Sequence, residues 1–273
     1  MIELESLHLT VEGTTARLRL DHGKANEMGR VQIGDWERVC ELLEGGSVRT
    51  LITWSDRLSA KGAPIFIAGA NVTERAGWSN DEVRAHVRRQ RALLVRLRHA
   101  PVFHVTVVHG VALGWGTEFM IACDWRIAAP GARFSLPETG LGILPGAGGA
   151  SELQTLIGPT QTLRLGMTGE PVDAEEAHRI GLVDERAAHL EAGLGRAEAM
   201  ATRMASRSPT AAAAFKAAVL ASIGRPPEDR RETEARAYEH CVATGEAAVG
   251  RANFAAITAG ETPAWGRFDR FLP

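Results

Sequence analysis

The chain has 273 residues, of which 45% are hydrophobic and 23% charged, with a formal net charge of -2. That length holds one large domain or a core with a smaller subdomain, and the charge balance offers no general attraction to nucleic acid or an anionic membrane. Cys40, Cys123 and Cys241 are far apart and form no CxxC, "MIELESLHLT" lacks a basic-then-apolar leader, and no apolar run reaches the length of a membrane span, so a soluble cytoplasmic protein is expected.

The first third mixes strands and helices. "LHLTVEG" and "TARLRL" predict a hairpin closed around Glu12-Gly13. Ile33, Trp36, Val39, Cys40 and Leu43 recur at helical spacing, giving a helix that ends at Gly45-Gly46. Residues 48–54 and 63–71 read as short buried strands, the second ending in a glycine turn. Residues 80–99 predict a helix with Ser79 or Asn80 as N-cap. "VFHVTVVHG" is a β-branched strand ending at Gly110, and "ALGWGTEFMIACD" turns through Gly114 and Gly116 into a helix. "DWRIAAPGARFSL" reads as two short strands around Pro130-Gly131. Buried strands alternating with helices indicate an α/β core. After Leu144 the pattern becomes helical: 151–157, 159–167, 173–180, 189–206 and 209–223. "GRPPED" is then read as a turn before one or two further helices. A mostly helical last third is either a cap on the core or an arm that packs on a partner chain.

Three stretches offer bare backbone or carboxylates. "IFIAGAN" ends a strand in small residues that would let a ligand lie on the backbone, or that simply form a tight turn. Gly114-Trp115-Gly116 opens a helix, where the first N–H groups have no internal partner and favour negative charge. The spacing is neither a P-loop nor a dinucleotide fingerprint. "LPETGLGILPGAGG" carries Glu138 in a Gly/Pro-rich loop. Glu118 alone reads as compensation of a helix dipole and Glu138 alone as a solvated carboxylate. Together they could flank a substrate as acid and base.

"IFIAGANVTE", "VHGVALGWGTEFMIACDWRIAA", "ARFSLPETGLGILPGAGGASEL" and "LRLGMTGEPVDAEEAHRIGLVDE" occur in that order, after "LDHGKANEM" with a shortened Lys-Ala-x-Asn turn. In this register the chain resembles the enoyl-CoA hydratase/isomerase family, the crotonases, over residues 20–185. The resemblance implies an α/β spiral of ββα units, with a core over 1–205 and a helical region over 206–273 used in trimerisation. It implies an acyl-CoA substrate, assembly as a homotrimer or a dimer of trimers, and no metal or redox cofactor, coenzyme A being part of the substrate. It places the N–H groups of Ala70 and Trp115 on the thioester oxygen. It makes Glu118 and Glu138 the pair that hydratases use, Glu118 for water activation and Glu138 for the C2 proton, with the Gly146 N–H positioning the water. For CoA it points to Lys24, Ala25, Ala68 and Ala70, and to Phe254 reaching a neighbouring subunit. Hydration of a 2-enoyl-CoA is the expected reaction. The rivals are isomerisation or other enolate chemistry, which uses one glutamate, and a non-catalytic CoA-binding role.

The chain also departs from the family pattern. Trp115 replaces a common Gly, Asn71 a usual Asp, and Thr73 stands where many hydratases have Lys near the CoA phosphates. Arg84, Arg88, Arg89 and Arg91 are an alternative phosphate cluster or a solvated helix face. The Trp115 indole is expected either in the core or against the acyl chain, Trp78 on a lid, and His109 as a structural polar residue. No HExxH or GxSxG motif is present.

Overall fold

The computed structural model describes residues 2–273. In chain order the elements are β1 (Leu7–Glu12), β2 (Thr15–Leu20), α1 (Arg30–Glu44), β3 (Thr50–Ser55), β4 (Ile65–Ile67), α2 (Asn80–Arg98), β5 (Phe103–Val108), β6 (Val111–Leu113) and α3 (Trp115–Ile121). There follow β7 (Trp125–Ala128), β8 (Arg133–Ser135), a short 3-10 turn (Pro137–Leu141), α4 (Leu153–Thr168), β9 (Val172–Asp173), α5 (Ala174–Arg179), β10 (Glu185–Arg186) and α6 (Leu190–Ala205). The chain closes with α7 (Pro209–Ser222), α8 (Pro227–Ala243), α9 (Glu246–Ala252) and α10 (Phe254–Thr258).

The strands form two sheets, ordered β1-β2-β3-β5-β7-β10 and β4-β6-β8-β9. β1 and β2 are the expected antiparallel hairpin, and the rest of the larger sheet is parallel. Consecutive strands alternate between the sheets: β3 and β4, β5 and β6, β7 and β8 each place one strand in either layer. That alternation produces the spiral. It also means that the two strands around Pro130-Gly131 do not pair with each other. β7 pairs with β5, whereas β8 pairs with β6. Gly110 makes the same crossing between β5 and β6 at φ 88°, and a Cβ there would fall 2.1 Å from the Pro64 carbonyl. Only glycine fits so close a backbone approach.

Ser79 caps α2 with its hydroxyl on the Glu82 N–H, and Asp173 caps α5. The two helices expected over 151–157 and 159–167 meet end to end as α4, with the non-helical Gly158 (φ 73°, ψ 164°) at the break between them and Pro159 opening the second. "GRPPED" is only partly a turn. Pro227 is the first residue of α8, because a proline there lacks a donor that the helix would leave unpaired, and Glu228 and Asp229 complement the helix dipole. Three helices rather than one or two complete the chain.

The core gathers around Phe119, which is fully buried on α3. Its ring meets Trp36 at 5.0 Å, Phe66 at 6.0 Å, Trp115 at 5.6 Å and His104 at 5.7 Å, joining α1, both sheets and α3 itself. Phe119→Ala is predicted to destabilise the fold by about 3–5 kcal/mol in urea unfolding. An unchanged unfolding midpoint would contradict this packing role.

Candidate active site

The site is built where β4, β6 and β8 end. After β4 the chain turns through Gly69 (φ 98°), whose carbonyl accepts from the Met28 N–H at 2.9 Å. The Asn71 N–H returns a bond to Met28 at 2.8 Å, and the Ala68 N–H bonds the Ala25 carbonyl at 3.0 Å. Lys24, Ala25, Ala68 and Ala70 are thereby brought together. Between the two paired neighbours, the Ala70 N–H has no acceptor among the described residues.

Residue 114 places the second donor. Gly114 has φ 50° and ψ -116°, and its carbonyl accepts from the Thr117 and Glu118 N–H groups. The Trp115 N–H, first in α3, has no acceptor among the described residues. The two flanking glycines do different jobs. A Cβ at Gly116 would lie 2.4 Å from the Ile67 carbonyl, so glycine lets α3 rest on the end of β4. A Cβ at Gly114 would lie 2.5 Å from Glu138 Oε1, so glycine leaves room for that carboxyl.

Glu118 is 3% exposed. Its Oε1 accepts from the Ala147 N–H at 2.6 Å and the Gly149 N–H at 3.0 Å. Burial pushes its carboxyl above the usual range, while these two donors and the Arg91 charge pull it back. Glu138 stands on the 3-10 turn, half-buried, and its Oε2 has no hydrogen-bond partner. Burial, and to a lesser degree the Glu118 charge, raise it to about 7, against the pull of its own backbone N–H. Two carboxyls thus meet in unlike surroundings, one fixed by donors and one poised near neutrality. The Gly146 carbonyl accepts from Arg91 Nε at 2.8 Å, and its N–H has no acceptor among the described residues.

Asn26 and Arg57, not singled out in the sequence, hold the Lys24 turn. Buried Asn26 adopts φ 54° and donates through Nδ2 to the Phe66 carbonyl at 2.8 Å and to Ser55 Oγ at 3.0 Å. Arg57 bonds the Lys24 carbonyl at 3.2 Å and also reaches Gly23 and Asp21. The Lys-Ala-x-Asn turn was the only signal for Asn26. Arg57 had none, because its partners lie about thirty residues earlier in the chain.

Other expectations resolve individually. The Trp115 indole is 2% exposed and packs on Phe119, so it belongs to the core, yet its Nε1 has no acceptor. The arginine cluster does not form one phosphate patch. Arg84 pairs with Asp81, Arg89 with Glu37, and Arg88 and Arg91 bond carbonyls. Trp78 lies between the Arg30 guanidinium and the His86 ring. His109 lies in the crossing between β5 and β6, where its Nδ1 is buried without a hydrogen-bond partner. Asn71 accepts from the Glu74 N–H at 3.1 Å, a local turn bond that an aspartate would make equally well. Phe254 starts α10, is 68% exposed, and is not brought to this site within the chain.

The family model for enoyl-CoA hydratase/isomerase matches residues 58–259. The chain belongs to the enoyl-CoA hydratase/isomerase family. Enoyl-CoA hydratase domain-containing protein 2, mitochondrial, from Mus musculus is 34% identical over 222 residues, covering 80% of this chain and 73% of that protein. The short-chain-enoyl-CoA hydratase of Clostridium acetobutylicum is 30% identical over 244 residues, covering 89% and 92%. The crystal structure of an enoyl-CoA hydratase from Bacillus anthracis superposes with a TM-score of 0.86 at 29% identity, covering 96% of this chain and 99% of that one. The fold is therefore that of the crotonases. Among the described residues no helix is long and apolar enough to cross a membrane.

In this crotonase-fold chain the raised Glu138 carboxyl has a thermodynamic sign. A carboxyl whose folded-state pKa exceeds its unfolded value favours folding at low pH, and that contribution is lost as pH rises through the folded value. Glu138→Gln should therefore gain thermal stability relative to the native chain as pH rises from about 5 to about 8. A gain that shrinks over that window in calorimetric melting would contradict the assigned environment.

Proposed function

We propose that this protein hydrates 2-enoyl-CoA thioesters, adding water across the C2–C3 double bond to give 3-hydroxyacyl-CoA. The observation that carries the reading is the pairing of Glu118 and Glu138 in unlike surroundings at one site. The unpaired N–H groups of Ala70 and Trp115 would hold the thioester oxygen and the negative charge that grows on it, as preorganised donors do. Glu118, held on one oxygen by Ala147 and Gly149, would activate water, with the Gly146 N–H assisting. Glu138, near neutrality in pKa, would supply the proton to C2. Water oxygen bonds to C3 and the proton to C2, and no redox partner or metal enters the balance.

The turn of Lys24 and Ala25, with Ala68 and Ala70, would receive the CoA portion. Residues 1–205 would form the catalytic core and 206–273 an assembly region for a homotrimer or a dimer of trimers, with Phe254 reaching a neighbour's CoA. An apolar groove between α7 and α8, with Phe215 and Tyr238 exposed beside it, fits burial in such an assembly. The cytoplasm is the proposed location, and the CoA thioester the one small molecule required.

The test follows loss of the conjugated enoyl-thioester absorbance. Glu118→Gln and Glu138→Gln should each lower kcat by roughly 10²–10⁴-fold, with the fold retained in circular dichroism. Unchanged kcat in Glu138→Gln would refute its role, and acyl-CoA binding without turnover on any enoyl thioester would refute hydration.

A further inference from the structure

One peptide unit joins α2 to the Glu118 carboxyl. The Gly146 carbonyl accepts from Arg91 Nε at 2.8 Å, and the Ala147 N–H donates to Glu118 Oε1 at 2.6 Å. These two groups belong to the same peptide plane, which is trans, so they point in opposite directions. Fixing the carbonyl therefore fixes the direction of the N–H. A cationic donor on the carbonyl also polarises the plane and strengthens the bond on its far side.

α2 presents one face to this loop. Val87, Arg91, buried Leu94 and Arg98 recur at spacings of four, three and four, so they share a side of the helix. A Cβ at Gly146 would come within 2.8 Å of Val87 Cγ1, so glycine lets the loop lie against the helix. Arg98 Nη1 pairs with Glu152 at 3.1 Å, at the start of α4. The helix thus grips the loop at both ends, Gly146 and Glu152. Between them the chain curls. The Glu152 and Leu153 N–H groups bond the Gly148 carbonyl, and a Cβ at Gly149 would overlap the Pro145 ring. That curl aims the Ala147 and Gly149 N–H groups at one oxygen of Glu118.

Arg91 has no carboxylate of its own. Arg84 and Arg89 on the same helix pair with Asp81 and Glu37, whereas exposed Arg91 forms no ion pair among the described residues. The charged groups acting on Glu118 are Arg91 from α2 and Glu138 from the 3-10 turn. Burial raises the Glu118 carboxyl, and the two loop donors and the Arg91 charge oppose it. Water screens an exposed charge acting at a distance, whereas the peptide bridge acts by contact.

We propose that Arg91 is a positioning residue for hydration: through the 146–147 peptide it holds the loop closed on Glu118, so that both loop donors stay on Oε1 and Oε2 is left for water. This rests on the hydratase reading for the part Glu118 plays. It adds a residue outside the carboxylate pair and the oxyanion donors.

Arg91→Met, Arg91→Lys and Arg88→Met test it. Arg88 bonds the Arg84 carbonyl of its own helix, so Arg88→Met removes the same charge from α2 without touching the loop. Glu118 is read in the free protein by ¹³C-carboxyl NMR titration, its signal assigned by its loss in Glu118→Gln. Arg91→Met should move the Glu118 midpoint upward. In the enoyl-thioester assay it should lower kcat by roughly 10–100-fold with KM nearly unchanged. Water activation needs the ionised carboxylate and is lost as pH falls through the midpoint, so the acid limb of the pH profile should move up with it. Arg91→Lys should recover part of both effects, and Arg88→Met should behave as the native chain. An unmoved midpoint in Arg91→Met, an equal shift in Arg88→Met, or a change confined to KM overturns the proposal. A midpoint that moves as expected in a protein that hydrates no enoyl thioester would defeat the reaction and leave the hold of Arg91 on Glu118 standing.

Discussion

The site depends on how closely the first turn of α3 rests on the end of β4. Gly116 stands where any Cβ would meet the Ile67 carbonyl at 2.4 Å. That contact sets the helix axis. From it follow the position of the Trp115 N–H, the closeness of Gly114 to Glu138, and the reach of Glu118 to the Ala147 and Gly149 donors. A side chain at 116 would lift the helix and disturb all three together. Beneath it, Phe119 ties the same helix to α1 and both sheets, so the site is held from the core side as well.

The electrostatics follow from that placement. Burying two carboxyls near each other is unfavourable, and the chain offsets it unequally. Glu118 receives two backbone donors, whereas Glu138 has an oxygen with no partner and is poised near neutral pH. Around them the N–H groups of Ala70, Trp115 and Gly146 stay unpaired. Unsatisfied polar groups are rare in folded chains, and a concentration of them marks a place where local stability has been given up for binding or chemistry.

Much of this was readable in the residues. The hairpin at Glu12-Gly13, the capped helix after Ser79 and the two glutamates lie in local patterns of short period, and the family motifs keep their register. What was not readable joins distant segments. Asn26 reaches β3 and the end of β4, Arg57 reaches back to the Lys24 turn, and Arg75 meets Gln90 across a turn and a helix. Local periodicity carries no information on such pairings. The crossing between sheets at Pro130-Gly131 was hidden for the same reason, since two adjacent strands look alike whether they pair together or apart. Trp115 sat between two readings because sequence shows its bulk and not the direction of its side chain. The structure places it on Phe119 and leaves its ring nitrogen facing no acceptor.

The central claim is that two carboxyls and a pair of backbone donors add water to an enoyl thioester. Its most direct measurement is mass spectrometry of product formed from the best-turned-over 2-enoyl-CoA in ¹⁸O-labelled D₂O. The account predicts one ¹⁸O on C3 and one deuterium on C2 in each product molecule. A product of moved double bond with no oxygen gained would contradict it.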